Sequence, residues 1–150
     1  MNDTRTPVAG QSLVLRRTYA APRQRVFDAW TKPELAAKFL GANEISVPTI
    51  DMDVRPGGSY RIAMLRPDGE TWYVGGTYRD VRPPERLSMT WSWEEDKPED
   101  VQETLLTLEF NERDGGTELV LTHEQFATVE SRDGHEKGWT AILDQLGGAL

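Results

Sequence analysis

The chain has 150 residues, no cysteine, five tryptophans and a formal net charge of −8. This length predicts a single domain over residues 1–150, and the lack of cysteine excludes disulfide bonds, a thiol nucleophile and thiolate-bound metal. Residues 1–75 carry a net charge of +2 and residues 76–150 one of −10, which argues against nucleic acid as a partner.

The beginning of the chain is polar and lacks the apolar segment of a secretory signal. Residues 1–11 are predicted to form a disordered tail. No apolar run approaches the roughly 20 residues that span a bilayer. We therefore expect a cytoplasmic protein with no membrane partner.

A strand and two short helices are predicted next. Residues 13–19 have the composition of a strand. Pro22 and Pro33 each stand where a helix can begin, because the N–H that proline lacks is unpaired in a first helical turn anyway. Apolar residues at helical spacing then give each helix one buried side, and Gly41 marks the end of the second.

Six short strands are predicted between residues 45 and 125. Apolar and polar residues alternate there, and turn residues separate the runs, as in the Pro-Asp-Gly of residues 67–69. The clearest alternation sets Leu87, Met89, Trp91 and Trp93 against serine and threonine, which predicts one buried and one wet face. Hairpin-length connections indicate an antiparallel sheet.

The last segment predicts one long C-terminal helix. Its apolar residues recur at i, i+3, i+4, i+7 and i+11: Trp139, Ile142, Leu143, Leu146 and Leu150. Gly138, Gly147 and Gly148 interrupt this helix, either to permit close approach to the sheet or to loosen its end. A sheet with one wet face must bury the other, so the predicted class is α+β, a curved antiparallel sheet of about seven strands wrapped around the long helix.

The motifs of common catalytic sites are absent from the sequence. It contains no nucleophile elbow, phosphate loop or dinucleotide fingerprint. His123 and His135 are the two histidines, and their spacing predicts no metal site. We assign no catalytic residue, no metal and no cofactor. His123 shares the inward face of its strand with leucines, so it is either a core histidine or a polar group of an apolar cavity.

Five short motifs resemble one known superfamily. They are the Ala-Pro, Val-Phe-Asp-Ala-Trp-Thr and Pro-Glu-Leu of residues 21–35, Asp-Val-Arg-Pro-Gly-Gly at 53–58, Gly-Thr-Tyr at 76–78 with Pro-Pro-Glu-Arg-Leu at 83–87, Gly-Thr-Glu-Leu at 116–119, and Gly-Trp at 138–139. Together they resemble the START-like (SRPBCC, birch-pollen-allergen-type) superfamily, in particular the heat-shock-protein-90 ATPase activator homologue-like family. The resemblance covers about residues 13–150 and implies a helix-grip fold with a cavity between the sheet and the C-terminal helix.

Large aromatic and methionine side chains are predicted to point inward, toward that cavity. Any one of them can equally be core packing. Together they are hard to fit into a compact interior, and they are typical of the lining of an apolar pocket. From these faces and from the resemblance, the candidate ligand-binding residues are Phe39, Tyr60, Met64, Trp72, Tyr78, Met89, Trp91, His123, Trp139 and Leu143.

Three functions stay open at this point. The first is binding of a small hydrophobic or aromatic ligand in the cavity, in the manner of lipid-binding relatives. The second is a polyketide cyclase- or hydrolase-type enzyme with His123 as a proton-transfer group. The third, implied by the resemblance, is a stress-response protein that stimulates a chaperone ATPase. The acidic residues 94–100 are either a solvated loop or a docking patch for a basic partner, and the protein is expected to be a monomer or a homodimer.

Overall fold

The computed structural model describes residues 12–94 and 103–150. The predicted disordered tail at residues 1–11 and acidic residues 95–100 lie outside the described residues. In chain order the elements are β1 Ser12–Tyr19, α1 Arg23–Thr31, α2 Pro33–Ala36, β2 Ser46–Met52, β3 Ser59–Leu65, β4 Thr71–Arg82, β5 Arg86–Trp93, β6 Thr104–Arg113, β7 Gly116–Glu124 and α3 Val129–Ala149.

The seven strands form one antiparallel sheet in the order β1-β7-β6-β5-β4-β3-β2. Strands β2 to β7 each pair with their neighbour in the chain, as hairpin-length connections require. Strand β1 closes the far edge by pairing with β7, and α1 and α2 lie in the connection from β1 to β2. The predicted α+β class, with two short helices after the first strand and a long C-terminal helix, is confirmed.

Helix α3 begins ten residues before the apolar stripe that predicted it. Its N-cap is Thr128, whose Oγ1 accepts a hydrogen bond of 3.0 Å from the backbone N–H of Ser131. The stripe residues Trp139, Ile142, Leu143 and Leu146 are buried. The N-cap therefore sets the beginning of α3. The buried residues that pack α3 against the rest of the protein lie mainly in its second half. No helix in residues 12–94 and 103–150 is long and apolar enough to cross a membrane.

The predicted wet face of β5 is wrong at the centre of the strand. Ser88 and Thr90 are only 5% and 3% exposed. Thr90 is buried because it completes the hydrogen bonding of neighbouring strands. Its Oγ1 accepts from the Thr77 N–H at 2.9 Å, and its carbonyl accepts from the Tyr60 hydroxyl at 2.5 Å. Gly76 permits this contact, since a Cβ there would overlap the Thr90 backbone and hydroxyl.

Candidate functional site

A cavity of about 560 Å³ lies between one end of the sheet and the first half of α3. This volume is in the range of small-molecule sites, on the order of 300–1,000 Å³. The loop after α2, the β3–β4 hairpin, the end of β5 and α3 form its walls. Its lining residues are Leu40, Ala42, Asn43, Ile45, Met64, Arg66, Trp72, Trp91, Trp93, Glu130, Ser131, Gly134, His135, Gly138, Trp139 and Ile142.

Four of the ten residues predicted for the pocket line this cavity: Met64, Trp72, Trp91 and Trp139. Three others, Tyr60, Tyr78 and Met89, line a separate void of about 20 Å³ deeper in the interior, together with Trp91. That void is smaller than any of these side chains. Strand alternation therefore placed six of these residues, and helical spacing placed Trp139, on the inward face. Only the first four border space that a ligand could occupy.

The remaining three predicted residues, Phe39, His123 and Leu143, are fully buried and do not line the cavity. Phe39 packs edge-on against Trp30, with ring centroids 5.0 Å apart. The Leu143 carbonyl accepts a hydrogen bond of 2.7 Å from the Tyr19 hydroxyl, which joins α3 to β1. The prediction that these three face the pocket is corrected, because each side chain is enclosed by the core.

The sequence reasoning did not select several residues of the wall. Arg66 continues the inward alternation of Tyr60, Ile62 and Met64 past the end of β3. This spacing of two residues could have identified Arg66 as a residue that points toward the cavity. His135 stands one helical turn before Trp139, so it shares the same side of α3. Trp93 was predicted to point inward and lies at the cavity.

Four indole rings form a continuous aromatic wall, which we call the tryptophan wall: Trp72, Trp91, Trp93 and Trp139. Trp91 is central, with ring centroids 4.9 Å from Trp139 and 5.9 Å from Trp93. Trp93 in turn meets Trp72 edge-on at 6.2 Å. Edge-on and tilted ring contacts of this kind are favourable for aromatic quadrupoles, so the rings stabilise each other beside open space.

At two positions of α3 that line the cavity, glycine leaves the space without a side chain. A Cβ built on Gly134 or on Gly138 would meet no atom within 4 Å. Both residues line the cavity. The interpretation that Gly138 permits close approach of helix and sheet is therefore wrong, since the space beside it is open. Gly147 does lie near the sheet, where its Cβ would be 3.6 Å from the Tyr19 ring.

His135 anchors Trp93 to α3. The Trp93 indole Nε1 donates to His135 Nε2 at 3.0 Å, and His135 Nδ1 lies 2.8 Å from the Ser131 carbonyl oxygen. A carbonyl can only accept, so the proton resides on Nδ1 and the ring is the neutral tautomer. This side of the cavity is held by a chain of two directed hydrogen bonds.

His123 lies behind the wall, in a fully buried network. Thr104 Oγ1 donates to the Trp91 carbonyl at 2.8 Å, so the His123 Nε2, 2.7 Å from the same hydroxyl, must donate to it. His123 Nδ1 accepts from the Trp139 indole at 3.0 Å. Burial, with a smaller contribution from His135, lowers the pKa of His123 to about 2. The ring is neutral and neither nitrogen is left to move a proton.

Charged side chains occur at two places in the wall. The Arg66 guanidinium, half-buried, stacks over the Trp72 ring at 4.3 Å from its centroid. Backbone hydrogen bonds from Arg66 N–H to the Glu70 carbonyl and from Gly69 N–H to the Arg66 carbonyl hold this turn. Glu130 is exposed in the first turn of α3. Within the described residues no group of three histidine, aspartate or glutamate side chains could hold a metal ion.

Comparison with known proteins identifies the family. The model described as activator of Hsp90 ATPase homolog 1-like protein matches residues 20–150. This chain belongs to that family. The resemblance found in the motifs is thereby confirmed for the activator of Hsp90 ATPase homolog 1-like family. Among curated proteins, none matches this chain.

Solved structures have the same fold as this family member. Protein CV1439 from Chromobacterium violaceum is 24% identical, with a TM-score of 0.81 over 92% of this chain and 96% of that chain. Protein Ms6760 from Mycobacterium smegmatis is 24% identical, with a TM-score of 0.82 over 99% and 96%. The AHSA1 protein SPO3351 from Silicibacter pomeroyi is 26% identical, with a TM-score of 0.78 over 91% and 95%.

Proposed function

We propose that this protein binds a small molecule with a large apolar surface in the cavity between the sheet and α3. The single observation that carries this proposal is the tryptophan wall, which faces about 560 Å³ of space instead of an interlocking partner surface. The uncovered ring area belongs mainly to Trp72 and Trp93, since Trp91 and Trp139 are only 4% and 2% exposed. Removal of this apolar area from water is favourable by roughly 25 cal/mol per Å². A flat aromatic ligand would cover parts of both rings at once.

The proposed contact residues are Met64, Trp72, Trp91, Trp93 and Trp139, all of which line the cavity. The other predicted residues have a supporting role in this proposal. Tyr60 holds β5 through its hydrogen bond to the Thr90 carbonyl. Such packing behind the wall keeps the indole rings in place, which reduces the ordering that binding would otherwise require.

Filling the cavity from α3 tests the proposal. A Cβ at position 138 has no atom within 4 Å, so leucine in place of Gly138 would project into the cavity and would occupy part of the site. Because leucine is a better helix former than glycine, by about 1 kcal/mol, the variant should not lose stability. We expect Gly138→Leu to weaken binding of the neutral probe N-phenyl-1-naphthylamine by about tenfold, measured by its emission and by tryptophan quenching.

Gly148→Leu is the matched control. Gly148 lies in the same helix, has no atom within 4 Å of its Cβ position and does not line the cavity. Because Gly148 lies at the end of α3, this variant should gain no more helix stability than Gly138→Leu, and it should keep wild-type probe affinity. Equal affinities for the wild type and both variants would refute the proposal, as would a wild type that binds neither this probe nor its sulfonated analogue.

A chaperone-associated function is the second candidate, and family membership is the observation that favours it. In this proposal the protein stimulates an Hsp90-type ATPase through an acidic part of its second half. Measuring the chaperone's ATPase rate with and without the protein tests it directly. An unchanged rate at saturating protein would exclude this candidate and would leave the ligand-binding proposal unaffected.

A polyketide cyclase- or hydrolase-type reaction has less support. Its predicted proton-transfer group, His123, is neutral, fully buried and hydrogen-bonded at both nitrogens. A general base must reach the proton that it removes and must have an available lone pair. His123 meets neither requirement.

A further inference from the structure

We propose that the ligand of this cavity is anionic, and that Arg66 binds its carboxylate or sulfonate group while the apolar body lies against the tryptophan wall. This inference rests on the proposed function and specifies the ligand class. Its basis is an arginine at the cavity whose hydrogen-bonding capacity the described residues do not use. Arginine suits such a group because its planar fork of donors matches two anionic oxygens at once.

The placement of Arg66, directly after β3, distinguishes it from Arg61 within β3. Arg61, on the outer face, binds the Glu94 carboxylate through two hydrogen bonds of 2.8 and 2.9 Å. Arg66 lies on the inner side and makes no ion pair with any carboxylate in residues 12–94 and 103–150. Its guanidinium stacks on Trp72. Stacking covers one face of the guanidinium and leaves the N–H groups at its edge available.

The tryptophan wall contains a second unpaired donor, but this one is not accessible from the cavity. The indole N–H of Trp91 is buried and has no hydrogen-bond partner among the described residues. Trp91 is 4% exposed and lines both the cavity and the small interior void. Like the indole N–H of Trp30, that of Trp91 is sealed inside the protein, so a ligand in the cavity does not reach it. Arg66 is therefore the donor at the cavity that favours a ligand with acceptor oxygens.

Two carboxylates near the cavity limit the attraction. Glu130 lines the opposite wall, where it is exposed and favourably placed in the first turn of α3. Glu70 accepts a hydrogen bond of 3.2 Å from the Trp72 indole N–H, beside the Arg66 stack. Because Glu130 is solvated, a cationic ligand would gain little from pairing with it. Its charge nevertheless repels an anion. Removing that charge should therefore strengthen anion binding, whereas removing the Arg66 charge should weaken it.

Two probes with the same aromatic body test the inference. N-phenyl-1-naphthylamine is neutral, and 8-anilino-1-naphthalenesulfonate carries one sulfonate on the same skeleton. The measured quantity is the ratio of the two affinities, sulfonate over neutral, in the full-length protein. Arg66→Gln should lower this ratio about tenfold, and Arg66→Lys should lower it less, because lysine keeps the charge without the fork. Glu130→Gln should raise it by about twofold.

Arg61→Gln is the control, since Arg61 lies on the outer face of the sheet, and it should leave the ratio unchanged. Circular dichroism of each variant verifies folding, and the Lys and Glu130 variants provide independent readings if Arg66→Gln is unstable. A ratio that is unchanged in all Arg66 and Glu130 variants overturns the inference. Binding of both probes with no charge dependence would do so while leaving the proposed function intact, whereas no binding of either probe would refute the proposed function itself.

Discussion

Two tryptophan–histidine pairs use the same donor and acceptor in different surroundings. Trp139 Nε1 donates to His123 Nδ1 and Trp93 Nε1 donates to His135 Nε2, at 3.0 Å in each case. The two imidazole rings are only 5.1 Å apart. His123 is nevertheless fully buried, whereas His135 is partly exposed and lines the cavity.

This comparison separates the contribution of burial from that of hydrogen bonding. Both rings are neutral and both have their two nitrogens engaged, but they are opposite tautomers because their second partners differ. His123 donates through Nε2 to Thr104, and His135 donates through Nδ1 to the Ser131 carbonyl. The His123 pair ties β7 to α3 inside the core, and the His135 pair ties β5 to α3 at the cavity. Burial therefore decides which pair maintains stability and which shapes the site.

The largest expected effect breaks the inner pair. His123→Ala should destabilise the protein by about 3 kcal/mol, because it creates a cavity and leaves the Trp139 N–H buried without an acceptor. Urea unfolding at neutral pH measures this loss. Thr122→Ala, at the next position of β7 and only partly buried, is the control and should cost less than about 1 kcal/mol. A loss for His123→Ala no larger than that of the control would contradict the role assigned to the inner pair.

The pH dependence of stability sharpens the comparison next. The pKa of His123 is about 2 in the folded protein and about 6.5 in an unfolded chain. The contribution of neutral His123 to the free energy of unfolding is therefore fully present above about pH 6.5. It decreases as the pH falls, because His123 is protonated in the unfolded state and stays neutral in the folded state. Between about pH 6.5 and 5.5 this residue should remove about 1 kcal/mol.

The His123→Gln variant isolates that contribution. Its free energy of unfolding should be lower than that of the wild type at pH 7.5 but should decline less steeply toward pH 5.5, because glutamine does not titrate. Urea titrations of both proteins across this range provide the comparison, and the remaining histidine and the carboxylates cancel in the difference. Parallel pH profiles for the two proteins would mean that His123 is not held neutral by burial.

The outer pair should give the smallest stability effect. His135→Ala is expected to cost about 1 kcal/mol, because water can replace a hydrogen bond at a partly exposed site. Its effect on binding should be larger than its effect on folding, since Trp93 loses the contact that fixes its ring. Lys137→Ala, exposed on the same helix, is the control for both measurements. If His135→Ala destabilises the protein as much as His123→Ala, the distinction between the two pairs fails.

Local pattern predicted most of the fold because it depends on short-range chemistry. The alternation Leu87, Met89, Trp91 indicates the inner face of β5, and those side chains are buried. The same alternation failed for Thr90, whose burial depends on Gly76 in a neighbouring strand and on the Tyr60 hydroxyl. The alternation within one strand cannot reveal a hydrogen bond that a neighbouring strand supplies.

The candidate site illustrates the same division. The sequence by itself determined which side chains point inward, since side-chain direction follows the periods of strand and helix. It also determined the family, through motifs spread along the chain. Only the tertiary structure decided how deep each inward side chain lies. Where Trp139 to Leu146 pack on the sheet, His123 is sealed; where Gly134 and Gly138 pass over it, the absence of side chains leaves Trp72, Trp93 and Arg66 beside open space. The periodic spacing of a residue specifies the face of its strand or helix. The distance between two packed elements, in contrast, depends on every side chain between them.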